Sequence, residues 1–564
     1  MSKWFLKIRS NVNLEGDLQL AEREIKHLFN DNTPITIENI DELNGVCPKY
    51  AQTSNSRNKG IIGYLVSNPF VDIDRIVTLL SFIQEIWQVK EFASKKKPYA
   101  VENGNFVCIV PFMALAELLF YSPKVDEDSI SKLLFALAYG KEDVKPIKRA
   151  NTSAPHIHSF HIYKAKFFPR FVRSLLVSNI NIHQQEVKVC DPFVGSGTTL
   201  IEGSLMGFDS CGIDIDPLSC FISETKSQAL DTSPKFLQYP VHEGLFSTFN
   251  SGIKYEFPDV IRKKFQRWNS MNEMNEYEEQ ISAELSKIDA ETGYFKSLHK
   301  IALSDALTKK FNIRMMGTGS GRFALEIAKT DLTSLIKNNI ASEIKSIEII
   351  HKLKEMYQIY TPAPYVVRGS ATEREFKDNY FDIIITSPPY IPASSGREDY
   401  LVGKLISLKA MGLYTEEDVN FCSQNSVGSM NSKDDYGFRG LPQSVIDLYN
   451  WLIHDDLRSI KAKPILAYYQ SIKKSLLEDF RTIKKQGKVI YIIGKETIFY
   501  NSATKDILYR VKCDSIFKEI ANNIGFSIDE VIDIELDKKN KVARPRGSDK
   551  YYECAIIMSR NEKV

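Results

Sequence analysis

The stretch that decides the fold is Val187-Lys188-Val189-Cys190-Asp191-Pro192-Phe193-Val194-Gly195-Ser196-Gly197-Thr198-Thr199, followed by a helix-forming run from Leu200 to Met206. Val187 to Cys190 reads as a buried strand, and the glycine-rich turn that ends it leads directly into the helix. Strand, glycine turn and helix in that order make a loop for a nucleotide-type ligand. Glycine lets the backbone approach closely, and the helix N-terminus presents amides that have no intrahelical partner. The turn lacks the Gly-Lys-Ser/Thr ending of a P-loop.

One strand further on, Cys211-Gly212-Ile213-Asp214-Ile215-Asp216-Pro217 carries an acid to the strand end. A carboxylate there can accept both hydroxyls of a ribose, and Asp214 lies nearer the strand end than Asp216.

A second focus lies 196 positions after Asp191. Phe381-Asp382-Ile383-Ile384-Ile385-Thr386 reads as a buried strand, and Ser387-Pro388-Pro389-Tyr390 stops it, because proline has no amide for the ladder. In an open α/β sheet the C-terminal lip of the strands faces the ligand crevice. A rigid Pro-Pro backbone there presents a hydroxyl, fixed carbonyls and an aromatic ring. The Ser387 hydroxyl and the Pro388 carbonyl can accept both protons of an exocyclic amine while Tyr390 stacks on the base. Two accepted hydrogen bonds localise the amine lone pair and aim it at an electrophile, so no strong general base is required.

Together these stretches resemble the cofactor loop and the S/D/N-P-P-Y/F motif of the DNA amino methyltransferases, which modify cytosine N4 or adenine N6. His158-Ser159-Phe160-His161-Ile162-Tyr163-Lys164-Ala165-Lys166-Phe167-Phe168-Pro169 resembles the segment that precedes the loop in that family and lines the methionine end of the cofactor. The resemblance implies S-adenosylmethionine as cofactor, held by Tyr163, Lys166, Asp191, Phe193, Gly195, Ser196, Gly197, Thr198, Asp214 and Ser370. Ser370 stands where the family often has the acid of a Gly-Asp-Ala, which puts an acidic contact to the cofactor's adenine amine in question. The resemblance also implies catalysis by Ser387, Pro388, Pro389 and Tyr390, double-stranded DNA with a flipped base as substrate, and a cognate restriction or defence-system protein as partner.

A serine in the first position is, by resemblance, more typical of cytosine-N4 enzymes, with adenine N6 as the alternative. Two other readings stand beside this one. Leu20 to Glu24 and Leu79 to Trp87 faintly resemble the N-terminal domains of THUMP-containing tRNA guanine-N2 methyltransferases, although that family would show Asp-Pro-Pro-Tyr. The other is a non-catalytic, nucleic-acid-binding subunit with a methyltransferase fold; degeneration of that kind usually damages the loop or the tetrapeptide, and both are intact.

The expected fold is α/β: a Rossmann-like, mostly parallel methyltransferase sheet with a helical insertion and an N-terminal α/β accessory domain. At 564 residues the chain exceeds a single core. The expected division is 1–145 for the accessory domain, 146–231 for the first methyltransferase part, 232–359 for the insertion and 360–564 for the second part. In the accessory domain Leu20 to Phe29 and Ile76 to Val89 read as helices and Gly60 to Val66 as a strand. In the insertion, the candidate for target recognition, Val260 to Ile288, Tyr294 to Lys310 and Phe323 to Tyr357 read as helices. Its loop Gly317-Thr318-Gly319-Ser320-Gly321-Arg322 is either an inter-helix loop or a phosphate contact through Arg322; Arg397, after the tetrapeptide, is likewise a phosphate contact or a surface residue. The chain closes with a helix over Ala467 to Lys484, a buried strand over Gly487 to Gly494, and a hairpin of Ile528 to Leu536 with Glu553 to Met558. The basic loop Lys538 to Lys550 joins the hairpin strands.

Charge excludes a uniformly basic nucleic-acid binder, since 73 Lys and Arg face 71 Asp and Glu. The local exception is Lys141 to Arg173, where basic residues alternate with Phe160, Tyr163, Phe167, Phe168 and Phe171 as in a backbone-tracking groove. His156, His158 and His161 have no cysteine or carboxylate at ligand spacing, and no metal is expected. Eight cysteines without a C-x-x-C pair point to reduced thiols and a cytoplasmic protein. The longest apolar stretch, Phe106 to Phe120, holds Pro111 and Glu117 and is too short to span a bilayer.

Overall fold

A seven-stranded sheet organises the molecule: β1 (Lys188–Asp191), β2 (Asp209–Asp214), β3 (Tyr365–Arg368), β4 (Phe381–Thr386), β5 (Ile483–Gly494), β6 (Phe526–Glu535) and β7 (Tyr551–Arg560). In this computed structural model the described residues are 3–140, except 13–14, 31–33, 39, 44, 49–50, 52–59, 68–70 and 91–96; 156–234, except 164–166 and 185; 253–315, except 269; 323–391; 404–429; 437–535, except 502–503 and 505; and 551–561. The strand order is β3-β2-β1-β4-β5-β7-β6. The first five strands run parallel, and β7 enters antiparallel between β5 and β6. The order reverses between β1 and β4, where Ile383 pairs with Val189 and Ile384 with Cys190. The connections on either side diverge at that point and open a crevice at the C-terminal lip.

Both faces of the sheet are covered, which is why its strands read as continuous apolar runs rather than alternating ones. Ile383, Ile385, Ile490, Ile492 and Ile557 face a core shared with the N-terminal sheet and the insertion. Ile384, Val489, Tyr491, Ile493 and Ile556 face helices Gln443–Ile453, Ala462–Thr482 and Cys513–Ile524.

The N-terminal region is a six-stranded, wholly antiparallel sheet in the order Ile35–Ile37, Gly63–Val66, Trp4–Ile8, Ile83–Val89, Phe106–Ile109, Ala100–Asn103. Here the expected helix Ile76 to Val89 is corrected: a helix covers only Ile73–Leu79, and Ile83–Val89 is a central strand paired on both sides. A helical spacing of Ile83, Ile86 and Trp87 misled the reading. Strand pairing won because β-branched and aromatic side chains fill both faces, and the buried Glu85 accepts from Trp87 Nε1 at 2.9 Å.

The insertion is helical but not throughout. Val260 to Ile288 divides into helices Asp259–Trp268 and Met271–Ala290, the second capped by Ser270, whose hydroxyl accepts from Asn272 N at 3.2 Å. Phe323–Ile327 is a strand, hairpin-paired with Phe311–Met315, and the long helix starts only at Leu332, capped by Asp331. Gly317 to Arg322 therefore lies between two strands rather than two helices, and those residues fall outside the described ones. That helix, Leu332–Tyr357, returns to the N-terminal region, where Tyr357 stacks on Tyr99 at 4.4 Å between ring centroids.

The basic and aromatic stretch is also corrected in its described part. Phe160 and Arg173 are fully buried, Arg173 donates to Glu202 at 2.6 Å and to the Thr78 carbonyl at 2.5 Å, and Arg170 pairs with Asp17 at 2.7 Å. These side chains fasten the N-terminal region to the large sheet and are not available to a nucleic-acid backbone. Lys145, Lys148, Arg149, Lys164 and Lys166 lie outside the described residues.

Candidate active site

The glycine loop leaves β1 at Asp191 and enters the helix Thr198–Leu205. Gly195 and Gly197 adopt left-handed conformations with φ of 51° and 79°. A Cβ on Gly195 would come within 3.3 Å of the Tyr163 ring, so the glycine is what allows the ring to lie over the loop. Asp214, half-buried at the end of β2, accepts from Gly195 N and from Asp216 N, each at 2.9 Å. These bonds occupy one lone pair on each oxygen and leave others for a ligand. Burial first, and then the neighbouring Asp216, push the Asp214 carboxyl up to about 6.

Asp191 does something the sequence did not indicate. It is 2 % exposed; Oδ1 accepts from Phe193 N at 3.1 Å and from the Thr386 hydroxyl at 2.6 Å, and Oδ2 accepts from Thr199 Oγ1 at 2.6 Å. Its carboxylate thus points beneath the crevice, bracing the loop against the residue that precedes Ser387. Burial pushes this carboxyl up to about 6 against the pull of those hydrogen bonds. Ser387 follows directly, half-buried, with Pro388 buried, Pro389 exposed and Tyr390 half-buried. Tyr390 Oη donates to Glu553 Oε1 on β7 at 2.6 Å.

The remaining expected site residues divide in three ways. Tyr163 joins the crevice and its hydroxyl shares a hydrogen bond of 2.8 Å with Ser219 Oγ. Ser196 and Thr198 are buried in the loop, and the Ser196 carbonyl accepts from Lys226 Nζ at 3.1 Å. The Phe193 ring packs against the core on the far face of the sheet. Ser370 sits just past β3, its hydroxyl turned into its own turn against Thr372 Oγ1 at 2.8 Å. Lys166, Arg322 and Arg397 lie outside the described residues.

Two residues escaped the sequence reading. Lys404, which opens a helical stretch at 404–410, forms an ion pair with Asp216 and sits 4.9 Å from the centroid of the Tyr163 ring. Burial opposes its charge, yet Asp216 holds the ammonium above its ordinary range. Glu553 is the other; it lies within a run read only as a strand, and neither residue carried a local signal.

The histidine reading also changes. Glu202, from the helix after the glycine loop, brings a carboxylate to His156 and His158, with ligand atoms of all three within 4.8 Å of one another. His158 Nε2 lies 2.6 Å from Glu202 Oε1, and Arg173 holds the other oxygen. The guanidinium on the same carboxylate opposes a second cation there, so the cluster reads as an internal ion network. His161 hydrogen-bonds Ser304 Oγ at 2.9 Å, and burial pushes its pKa down to about 4.

Sheet order, glycine loop, strand-end acid and the tetrapeptide at the adjoining strand end define the class, a Rossmann-like α/β fold of the methyltransferase type. The chain is similar to the Type II methyltransferase M.MvaI of Kocuria varians, 25% identical over 385 residues that make up 64% of this chain and 81% of that relative. It is similar to the Type II methyltransferase M.BsoBI of Geobacillus stearothermophilus, 23% identical over 431 residues, 68% of this chain and 81% of that one. A shorter match reaches 35% identity over 192 residues with the Type II methyltransferase M.MjaII of Methanocaldococcus jannaschii, 33% of this chain and 34% of the relative. Among solved structures, TrmN from Thermus thermophilus matches at a TM-score of 0.30 and 9% identity, with 99% of this chain and 100% of that one covered. A SAM-dependent methyltransferase from Methanosarcina mazei matches at 0.26 and 9%, with 69% and 97% covered. No protein-family model matches. Among the described residues no helix is long and apolar enough to cross a membrane.

Proposed function

We propose that this chain is a DNA methyltransferase that uses S-adenosylmethionine and methylates an exocyclic amine, cytosine N4 ahead of adenine N6. The observation that carries the reading is the 2.6 Å bond from Thr386 to Asp191, which sets Ser387 beside the glycine loop in one crevice. The names of the relatives, Type II methyltransferases, support the same class.

The crevice fits the cofactor. A loop whose close approach demands glycine, amides at a helix N-terminus and a half-buried acid at the next strand end match the carboxylate, main chain and ribose of a nucleoside amino acid. Gly195, Ser196, Gly197 and Asp214 would hold it, with Tyr163 as a cover. When bound, S-adenosylmethionine supplies an electrophilic methyl group.

The chain's own part is to bind and orient the acceptor. A duplex hides the amine within the base stack, so the target nucleotide must be extruded, at a cost of a few kcal/mol. Ser387 Oγ and the Pro388 carbonyl accept the two amine protons, and Tyr390 stacks on the ring. A serine in the first position of the tetrapeptide is, by resemblance, more typical of cytosine-N4 enzymes; this supports N4. We assign reading of the DNA sequence to the insertion 232–359, supported by Tyr255, whose hydroxyl donates to the Ile406 carbonyl at 3.3 Å close to Lys404.

The test is methyl transfer from labelled S-adenosylmethionine to unmethylated duplex DNA and, in parallel, to bulk tRNA, with mass spectrometry of the nucleosides. N4-methylcytosine in the DNA is the expected product. N6-methyladenine would correct the base, while N2-methylguanine in the tRNA alone would overturn the reading.

A further inference from the structure

Tyr390 leaves the lip of β4 and crosses the end of β5. Its side chain shares a small cavity with Gly494 and Thr497, and its hydroxyl donates to Glu553 Oε1 at 2.6 Å. Glu553 is the ladder partner of Gly494 on β7, so the tyrosine reaches across one whole strand to find its acceptor. The cavity beside the ring measures about 20 Å³ and is lined also by Tyr468, Ile472 and Phe517. That is room for about one water and not for a phenol to swing into. The ring is therefore held at both ends, by the Pro388-Pro389 backbone and by the carboxylate. Burial raises the Glu553 carboxyl, with the Tyr390 bond pulling the other way.

We propose that Glu553 is a positioning residue for the transfer step. It fixes the plane of the Tyr390 ring so that the ring meets the extruded base in one orientation, and the base edge then reaches Ser387 with its amine aligned. This rests on the reading of Ser387 to Tyr390 as the base-holding motif. A purely structural hydrogen bond at the sheet lip would affect stability and leave the transfer constants alone.

The experiment is steady-state methyl transfer to duplex DNA, with S-adenosylmethionine affinity by calorimetry, for the wild-type chain, Tyr390→Phe, Glu553→Gln, Glu553→Ala and the double variant Tyr390→Phe/Glu553→Ala. Tyr390→Phe and Glu553→Ala are each expected to lower kcat about tenfold, with cofactor affinity unchanged. The double variant is expected to be no worse than either single one, because both remove the same bond. Glu553→Gln keeps an acceptor oxygen and is expected to stay within about threefold of wild type. Tyr390→Phe leaves β7 untouched, so the inference remains testable if Glu553→Ala fails to fold. Undiminished kcat in Tyr390→Phe, or losses that multiply in the double variant, would overturn the role of Glu553 while the methyltransferase reading stands. A wild-type chain that methylates no DNA would overturn both.

Discussion

The two halves of the crevice are built in different ways. The half proposed to hold the cofactor is nearly one piece of chain: Asp191, the glycine loop, Asp214 and Asp216 all fall between residues 191 and 216, and Asp214 accepts from two backbone amides of that same stretch. The half proposed to be catalytic is four consecutive residues whose supports come from elsewhere. Thr386 is braced by Asp191 across 195 positions, and Tyr390 by Glu553 across 163. A site made of neighbours in the chain carries its own geometry. One supported from afar borrows geometry from the sheet.

Removing a group that acts only on the acceptor should separate the halves most widely. Ser387→Ala is expected to lower kcat by about a thousandfold or more, while the dissociation constant for S-adenosylmethionine, read by calorimetry, stays put. A parallel loss of cofactor affinity would mean that the halves are not independent. Asp214→Ala is the mirror case, expected to weaken cofactor binding about tenfold to a hundredfold, as for hydrogen bonds to a charged group, with kcat largely restored at saturating cofactor. Thr386→Val keeps the shape of the strand end but deletes the donor to Asp191. Since that bond joins the halves, about tenfold should be lost, shared between cofactor affinity and kcat rather than confined to one.

The smallest effect on catalysis should lie outside the crevice. In the insertion, His299 is 2 % exposed and lies 2.8 Å from Glu284 and 2.9 Å from Glu291. Burial pulls its pKa down, but the two carboxylates outweigh it and raise it to about 9. A raised folded pKa means stability that is fully present below about 6.5 and is lost as pH rises through 9. Urea unfolding should thus show up to about 3 kcal/mol less stability above that window, and His299→Gln should flatten the profile without changing either half of the crevice.

This difference also governs how much could be read from the chain. The glycine loop, the strand-end acid and the proline-stopped strand were visible because each is a local pattern with a local cause, and the parallel sheet followed from them. Strand Ile83–Val89 was missed because pairing on both sides overrode a helical spacing, and the strand Phe323–Ile327 because its partner, Phe311–Met315, carries no local pattern that announces the pairing. Arg173 and Phe160 looked like a surface groove because a sequence shows charge and aromaticity but not what is packed against them. Lys404 and Glu553 had no pattern at all: each matters only for what faces it from another strand or helix.

The bond from Thr386 to Asp191 makes the crevice indifferent to the route the chain takes between its two motifs. Because that tie runs sideways between neighbouring strands, residues inserted between β2 and β3 add length to the path without adding distance to the site. If the insertion reads the DNA as proposed, a long recognition element can therefore be exchanged, lengthened or moved to another connection while the chemistry beneath it stays in register. Diversity of target and constancy of reaction can then coexist on one scaffold.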